Sequence, residues 1–252
     1  MFRLPHSGLK EGNYLQAQIN PKKLSKKDIF IFILMICTAV LITVAGIMNK
    51  QKFPLIMPLY VSLVIGMLQS RVNRFASLMG SINSLVYAAV YAYYHLYASA
   101  FSALLFSCPI QLLTFIRWNK NKWEHSTKLR KLSNKQRIWL SVGYVVALGI
   151  LWVVLPLIGS EYVFLDSITN VLGILIYFLT MFAYVEYTFL MIINGIIGIA
   201  LYVTMLEANP ETVTYLIFSV YSFICVTFAF FEARKLHASQ QNENNSAENK
   251  KD

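Results

Sequence analysis

Charge is scarce in this sequence: of its 252 residues 13% are charged and 57% are apolar, and only 12 are acidic. So few charges cannot cover the surface of a water-soluble domain of this length. Cysteine is rare as well, and Cys37, Cys108 and Cys225 each fall inside an apolar run, without metal-ligand or disulfide spacing. They read as small core or lipid-facing residues. The four histidines, His6, His95, His125 and His237, stand too far apart to suggest a metal centre. No G-x-x-x-x-G-K-[ST] occurs, so nothing would couple nucleotide hydrolysis. Nor does any stretch group a nucleophile with a base, so the sequence assigns no catalytic residue and calls for no cofactor or metal.

What the chain does have is positive charge in the right places. Its 22 Lys and Arg residues give a formal charge of +10, but they are confined to short polar segments between long apolar runs. That confinement excludes a nucleic-acid-binding face and is the pattern of membrane topology. Hydropathy predicts spans at Ile29–Met48, Leu55–Ser70, Ser77–Tyr94, Ala98–Ile116, Ile138–Leu157, Val163–Ala183, Tyr187–Met205 and Val213–Phe231. The first is long enough to cross the hydrocarbon and is expected to be an uncleaved helix despite the lysines before it. The second is the weakest, being short and carrying Pro58. With the N-terminus inside, twenty Lys/Arg fall on the inner side and only Lys50 and Lys52 on the outer. This predicts both termini in the cytoplasm of a bacterial-type cytoplasmic membrane, as a multi-pass protein. The basic stretch Trp118 to Arg137 could touch anionic headgroups, but it reads first as a topology determinant. From Arg234 onward the tail, rich in Asn, Gln, Ser and Glu, is expected to be disordered.

A faint internal repeat is present. Laying the third span on the seventh superposes Asn83 on Asn194 and Tyr91 on Tyr202, and one loop residue later Leu104, Phe106 and Ser107 fall on Leu216, Phe218 and Ser219. Two three-helix units separated by one span would be parallel repeats, with the first span outside them. The expected division is then 1–28 as a cytoplasmic segment, 29–48 as an extra N-terminal helix and 49–118 as the first repeat. A basic loop and linker helix follow at 119–160, the second repeat at 161–233, and the tail at 234–252.

Polar residues recur at helical spacing inside the spans. The third carries Asn83, Tyr87, Tyr91 and Tyr94; the fourth Ser107, Gln111, Thr114 and Trp118; the sixth Asp166, Asn170, Gly173, Tyr177 and Thr180; the seventh Tyr187, Met191, Asn194, Gly198 and Tyr202. Polar groups are costly in hydrocarbon and normally face a bundle interior or a water-filled path, although single ones also serve as glue between helices. Together the stripes favour a pathway of amides, hydroxyls and aromatic rings, suited to a neutral or singly charged solute with a flat ring and hydroxyls. Gln111 and Asn194 are the principal hydrogen-bonding candidates. Asn83 and Asn170 join them, with Tyr87, Tyr91, Tyr177, Tyr187 and Trp118 as aromatic walls or gates. Asp166 and Glu186 sit near opposite boundaries, where a carboxylate either couples protons or simply reaches the interface. Gly195 and Gly198 read as close-contact positions.

These residues also carry a resemblance. Asn83, Tyr91, Tyr97 and the run Pro109-Ile110-Gln111 to Trp118, followed by a basic loop, resemble the first half of the Pnu vitamin transporters, best known for nicotinamide riboside. Leu165-Asp166, Asn194 and Tyr202 resemble the second half, so that the likeness spans roughly Leu55 to Phe231. It implies an all-α integral membrane protein of about eight helices, with a three-plus-one-plus-three core similar to the SWEET sugar transporters and one extra N-terminal helix. It further implies facilitated diffusion of an unphosphorylated vitamin, trapped inside by a kinase. Where the family motif has two tryptophans and an asparagine, this chain has Tyr187, Leu190 and Asn194, a departure in the family's binding region. The expected function is carriage of nicotinamide riboside, the alternatives being thiamine, riboflavin or a deoxynucleoside, or a non-transporting sensor. The partners expected are that solute and the lipid bilayer, with self-association left open.

Overall fold

Long apolar runs free of Gly and Pro pairs leave the backbone no partner in lipid except itself, and the chain answers with helices. The computed structural model describes residues 26–157, 159 and 162–248; the basic stretch before residue 26 lies outside them. Eight helices follow in order: α1 (Lys26–Met48), α2 (Phe53–Gln69), α3 (Phe75–Tyr93), α4 (Tyr97–Lys120), α5 (Asn134–Leu157), α6 (Val163–Met181), α7 (Tyr187–Met205) and α8 (Val213–Glu248). Seven are long and apolar enough to cross a membrane. The exception is α2, at 17 residues, whose rise of about 26 Å falls a little short of the hydrocarbon thickness.

Neighbours in the chain pack in sequence from α2 to α4 and from α6 to α8, while α4 packs on α6 and α8 returns to α2. Six helices thus close into a ring. The other two lie outside it. α1 presents one face, Ile31, Thr38, Ile42 and Gly46, to α2 and α8. α5 packs on α6 and touches the start of α4, and Leu155 is its one buried residue.

The seam between α8 and α2 is held by two tyrosines. Tyr215 donates its hydroxyl proton to the Leu55 carbonyl, and Tyr221 donates to that of Leu63 at 2.7 Å. Gly66 makes this approach possible, since a Cβ there would meet the Tyr221 ring at 2.8 Å. In α4 the turn Ala103–Ser107 widens to π-helical geometry just before Pro109, which has no N–H to give to the ladder.

One end of the bundle carries the basic loops. There Lys27 donates to the Ser70 carbonyl at 3.0 Å and pairs with Glu232 at 3.1 Å, and Arg71 pairs with Asp28 at 2.9 Å. The stretch after α4 folds into a short antiparallel hairpin, β1 (Lys122–Trp123) and β2 (Ser126–Thr127). It is anchored on both sides. The Arg74 N–H donates to the His125 carbonyl at 3.2 Å, and the Arg130 N–H donates to the Ala183 carbonyl at 2.7 Å.

The tail corrects an expectation. Rather than being disordered from Arg234, the chain continues α8 without a break to Glu248. Ala, Lys, Glu and Gln are good helix formers and no Gly or Pro intervenes. Ala233, Leu236 and Gln240 form a buried face at helical spacing. The Gln240 amide accepts from the Leu129 N–H at 2.9 Å and donates to the Thr127 carbonyl at 3.0 Å, fastening the extension to the hairpin.

Candidate functional site

All six ring helices contribute to a central cavity of about 320 Å³. From α3 come Gly80, Asn83, Ser84, Tyr87 and Tyr91, from α4 Ser99, Ser102, Ser107 and Gln111, and from α6 Thr169, Asn170, Gly173 and Tyr177. Across from them stand Ser62, Gly66 and Gln69 of α2, Asn194, Gly198 and Tyr202 of α7, and Tyr215, Ser219 and Ser222 of α8. None of the described residues lining it carries a charge.

Gln111 is held in a compact polar knot. Its Nε2 donates to Ser107 Oγ at 2.6 Å and to Ser84 Oγ at 3.1 Å, and the two serine hydroxyls lie 2.6 Å apart. Gly80 leaves space for it, because a Cβ built there would fall 1.9 Å from Gln111 Oε1. Asn83 and Asn170 line the cavity but spend their amide protons on neighbouring helices and turns. Asn83 donates to the Pro58 carbonyl at 3.1 Å and to Ser62 Oγ at 2.8 Å. Asn170 donates to Ser99 Oγ at 2.8 Å and to Asp166 Oδ1 at 3.1 Å. Asn194 differs from both, since its Oδ1 is buried with no hydrogen-bond partner. A buried acceptor left open in a cavity wall is a site for a ligand's donor or a water.

The aromatic walls are paired. Tyr87 stacks on Tyr91 with centroids 5.3 Å apart, and Tyr202 stacks on Tyr215 at 5.6 Å. At the end away from the basic loops, Tyr94 meets Tyr215 edge-on at 5.6 Å. Gln51 bridges there between helices, donating to the Tyr94 hydroxyl at 3.0 Å and accepting from Thr214 Oγ1 at 2.9 Å. This set caps that end.

Three sequence-level assignments change. Trp118 and Tyr187 do not line the cavity. They meet edge-on at 6.4 Å in a separate apolar cluster toward the basic end, where the Trp118 indole N–H donates to the Thr180 carbonyl at 2.8 Å. Trp118 lies near the end of α4 and Tyr187 is the first residue of α7, which puts both beyond the cavity. Asp166 does not reach an interface either: it is fully buried and accepts from Ser99 Oγ at 2.6 Å, the Ala98 N–H at 3.2 Å and Asn170. Three donors thus converge on this one carboxyl. It stands directly behind Ser99 and Asn170 in the cavity wall.

Ser84, Ser102, Thr169, Tyr215, Ser219 and Ser222 were not among the expected site residues. A signal existed for some. Tyr215, Ser219 and Ser222 recur at helical spacing in α8, as do Ser62, Gly66 and Gln69 in α2. Gly195, expected to permit close contact, does so against Phe223 of α8, whereas Gly198 has only open space before it.

A closed ring of apolar helices around a polar cavity, with two helices standing outside, is an arrangement suited to a solute transporter of the membrane. A family model described as nicotinamide mononucleotide transporter matches residues 55–232, and the chain belongs to that family. Among solved structures it is similar to the crystal structure of the vitamin B3 transporter PnuC, with a TM-score of 0.73 at 20% identity, over 86% of this chain and 94% of that one. A search of curated proteins finds no match.

Proposed function

We propose that this transporter carries nicotinamide riboside, unphosphorylated, by facilitated diffusion, with phosphorylation inside the cell trapping it. We place the basic loops and both termini in the cytoplasm, following the distribution of Lys and Arg. The two three-helix units act as parallel repeats about the cavity, with α5 as their linker.

The observation that carries the substrate is the composition of the cavity wall. It offers amides, hydroxyls and stacked tyrosines, and none of the described residues lining it is Lys, Arg or His. A mononucleotide would bring a phosphate with no counter-charge, an expensive placement in a low-dielectric interior. A riboside brings hydroxyls and an amide, for which the open Asn194 acceptor and the Gln111 knot are suited, and a cationic flat ring that tyrosine faces attract. Tyr187 and Leu190, where the family's tryptophans are replaced, both lie outside this wall, Leu190 on a separate groove between α7 and α5.

Purified protein in liposomes tests this directly. Radiolabelled nicotinamide riboside should equilibrate saturably without ATP, and a panel of its mononucleotide, thiamine, riboflavin and deoxynucleosides should show the riboside as the strongest competitor. Competition by thiamine or a deoxynucleoside alone would move the substrate while keeping the carrier. Competition by the mononucleotide alone would refute the argument from the uncharged wall, and binding without flux would make the protein a sensor.

A further inference from the structure

Because α5 packs on α6 while α7 and α8 belong to the ring, a second hollow opens between α5 and those two helices, with a volume of about 950 Å³. Its floor is the α6 face Leu172, Leu175 and Leu179, and Val145 and Ile193 stand on opposite sides. At the basic end its rim carries Lys131, Arg137, Arg234 and His237. Against three permanent positive charges it holds one carboxylate, Glu186. One oxygen of that group accepts from Arg137 at 2.9 Å and from the Leu132 N–H at 3.1 Å; the other is buried without a partner. Lys131 has no ion-pair partner among the described residues, and Arg234 lies 4.1 Å over the Phe230 ring at the mouth.

We infer that this groove is a binding site for an anionic phospholipid of the leaflet on the basic side, its phosphate at the Lys131–Arg234–His237 rim and an acyl chain along the α6 floor. An apolar trough with cations at one end only is complementary to an amphiphile with a negative head. A second copy of this chain would present its own basic loops at the same depth, setting like charge against like charge. A soluble anion would have no use for the trough. Bound lipid would fill the gap that α5 leaves and tie the linker to the second three-helix unit.

The test compares phosphatidylglycerol with phosphatidylcholine of identical acyl chains on the purified full chain, by native mass spectrometry and by thermal unfolding. The anionic lipid should be retained and should raise the unfolding midpoint, the zwitterionic one far less. The double variant Lys131→Gln/Arg234→Gln, two exposed side chains outside the cavity, should lose retention by about thirtyfold, and Lys50→Gln/Lys52→Gln on the opposite face should not. Equal retention of both lipids by the unaltered chain overturns the site without recourse to any variant. So does protection by inorganic phosphate equal to that of the lipid, loss of preference in the control pair, or efficient cross-linking of two chains through Val145→Cys.

Discussion

Gln111 and Asn194 face one cavity yet carry different burdens. Gln111 closes a hydrogen-bonded knot with Ser84 and Ser107, whereas Asn194 leaves its oxygen open. Asn194→Ala should therefore weaken substrate binding by about five- to a hundredfold, the worth of one buried hydrogen bond, with the unfolding temperature nearly unchanged. Gln111→Ala should lower both, and binding that stays unchanged in both variants would reduce the two amides to helix glue. Gly80→Ala offers a subtler check. The added methyl meets only the far end of the Gln111 side chain, so the fold should survive while the amide is displaced and uptake falls. Asp166→Asn would point an amide at a site built from three donors, so we expect a lower unfolding temperature.

At the level of elements, the cap formed by Gln51, Tyr94 and Thr214 ties the α1–α2 loop to the ends of α3 and α8. Alternating exposure of the cavity requires such a tie to break on one side. Gln51→Ala should make a cysteine placed at Tyr91 label faster from the outer side, while an unaltered labelling rate would mean that the tie is not a gate. The extension of α8 is a different fastening. Gln240→Ala leaves the Leu129 N–H unpaired and should cost about 1 to 3 kcal/mol in unfolding measurements. Span existence was legible because twenty-residue apolar runs admit few alternatives in lipid. The α8 extension was not, because three residues, Ala233, Leu236 and Gln240, suffice to dock a helix that composition alone marks as polar. The cavity was half legible for a related reason. Periodicity gives the angle at which Trp118 and Tyr187 point but not their depth, and depth decides whether a residue meets the cavity or the cluster near the basic loops. Asp166 was misread through the same lack of depth, since its partners Ala98 and Ser99 come from another helix.

For the whole molecule, the topology can be read from outside. Single cysteines at the exposed Lys50 and Lys128, in a chain freed of its native cysteines, should react with an impermeant reagent from opposite faces, Lys50 from the exterior. Labelling of both from one side would invert or dismantle the proposed arrangement. The ring also constrains how the protein is made. Its closing seam joins Leu55 to Tyr215 and Leu63 to Tyr221, partners 160 and 158 residues apart. Helices leave the ribosome in order, so the amides and hydroxyls that line the finished cavity wait in the membrane without their last wall until α8 arrives. A chain arrested before Val213 would leave the polar cavity open to lipid between α2 and α7. Termination before α8 should thus be as damaging as loss of an early segment, read as loss of folded protein in the membrane.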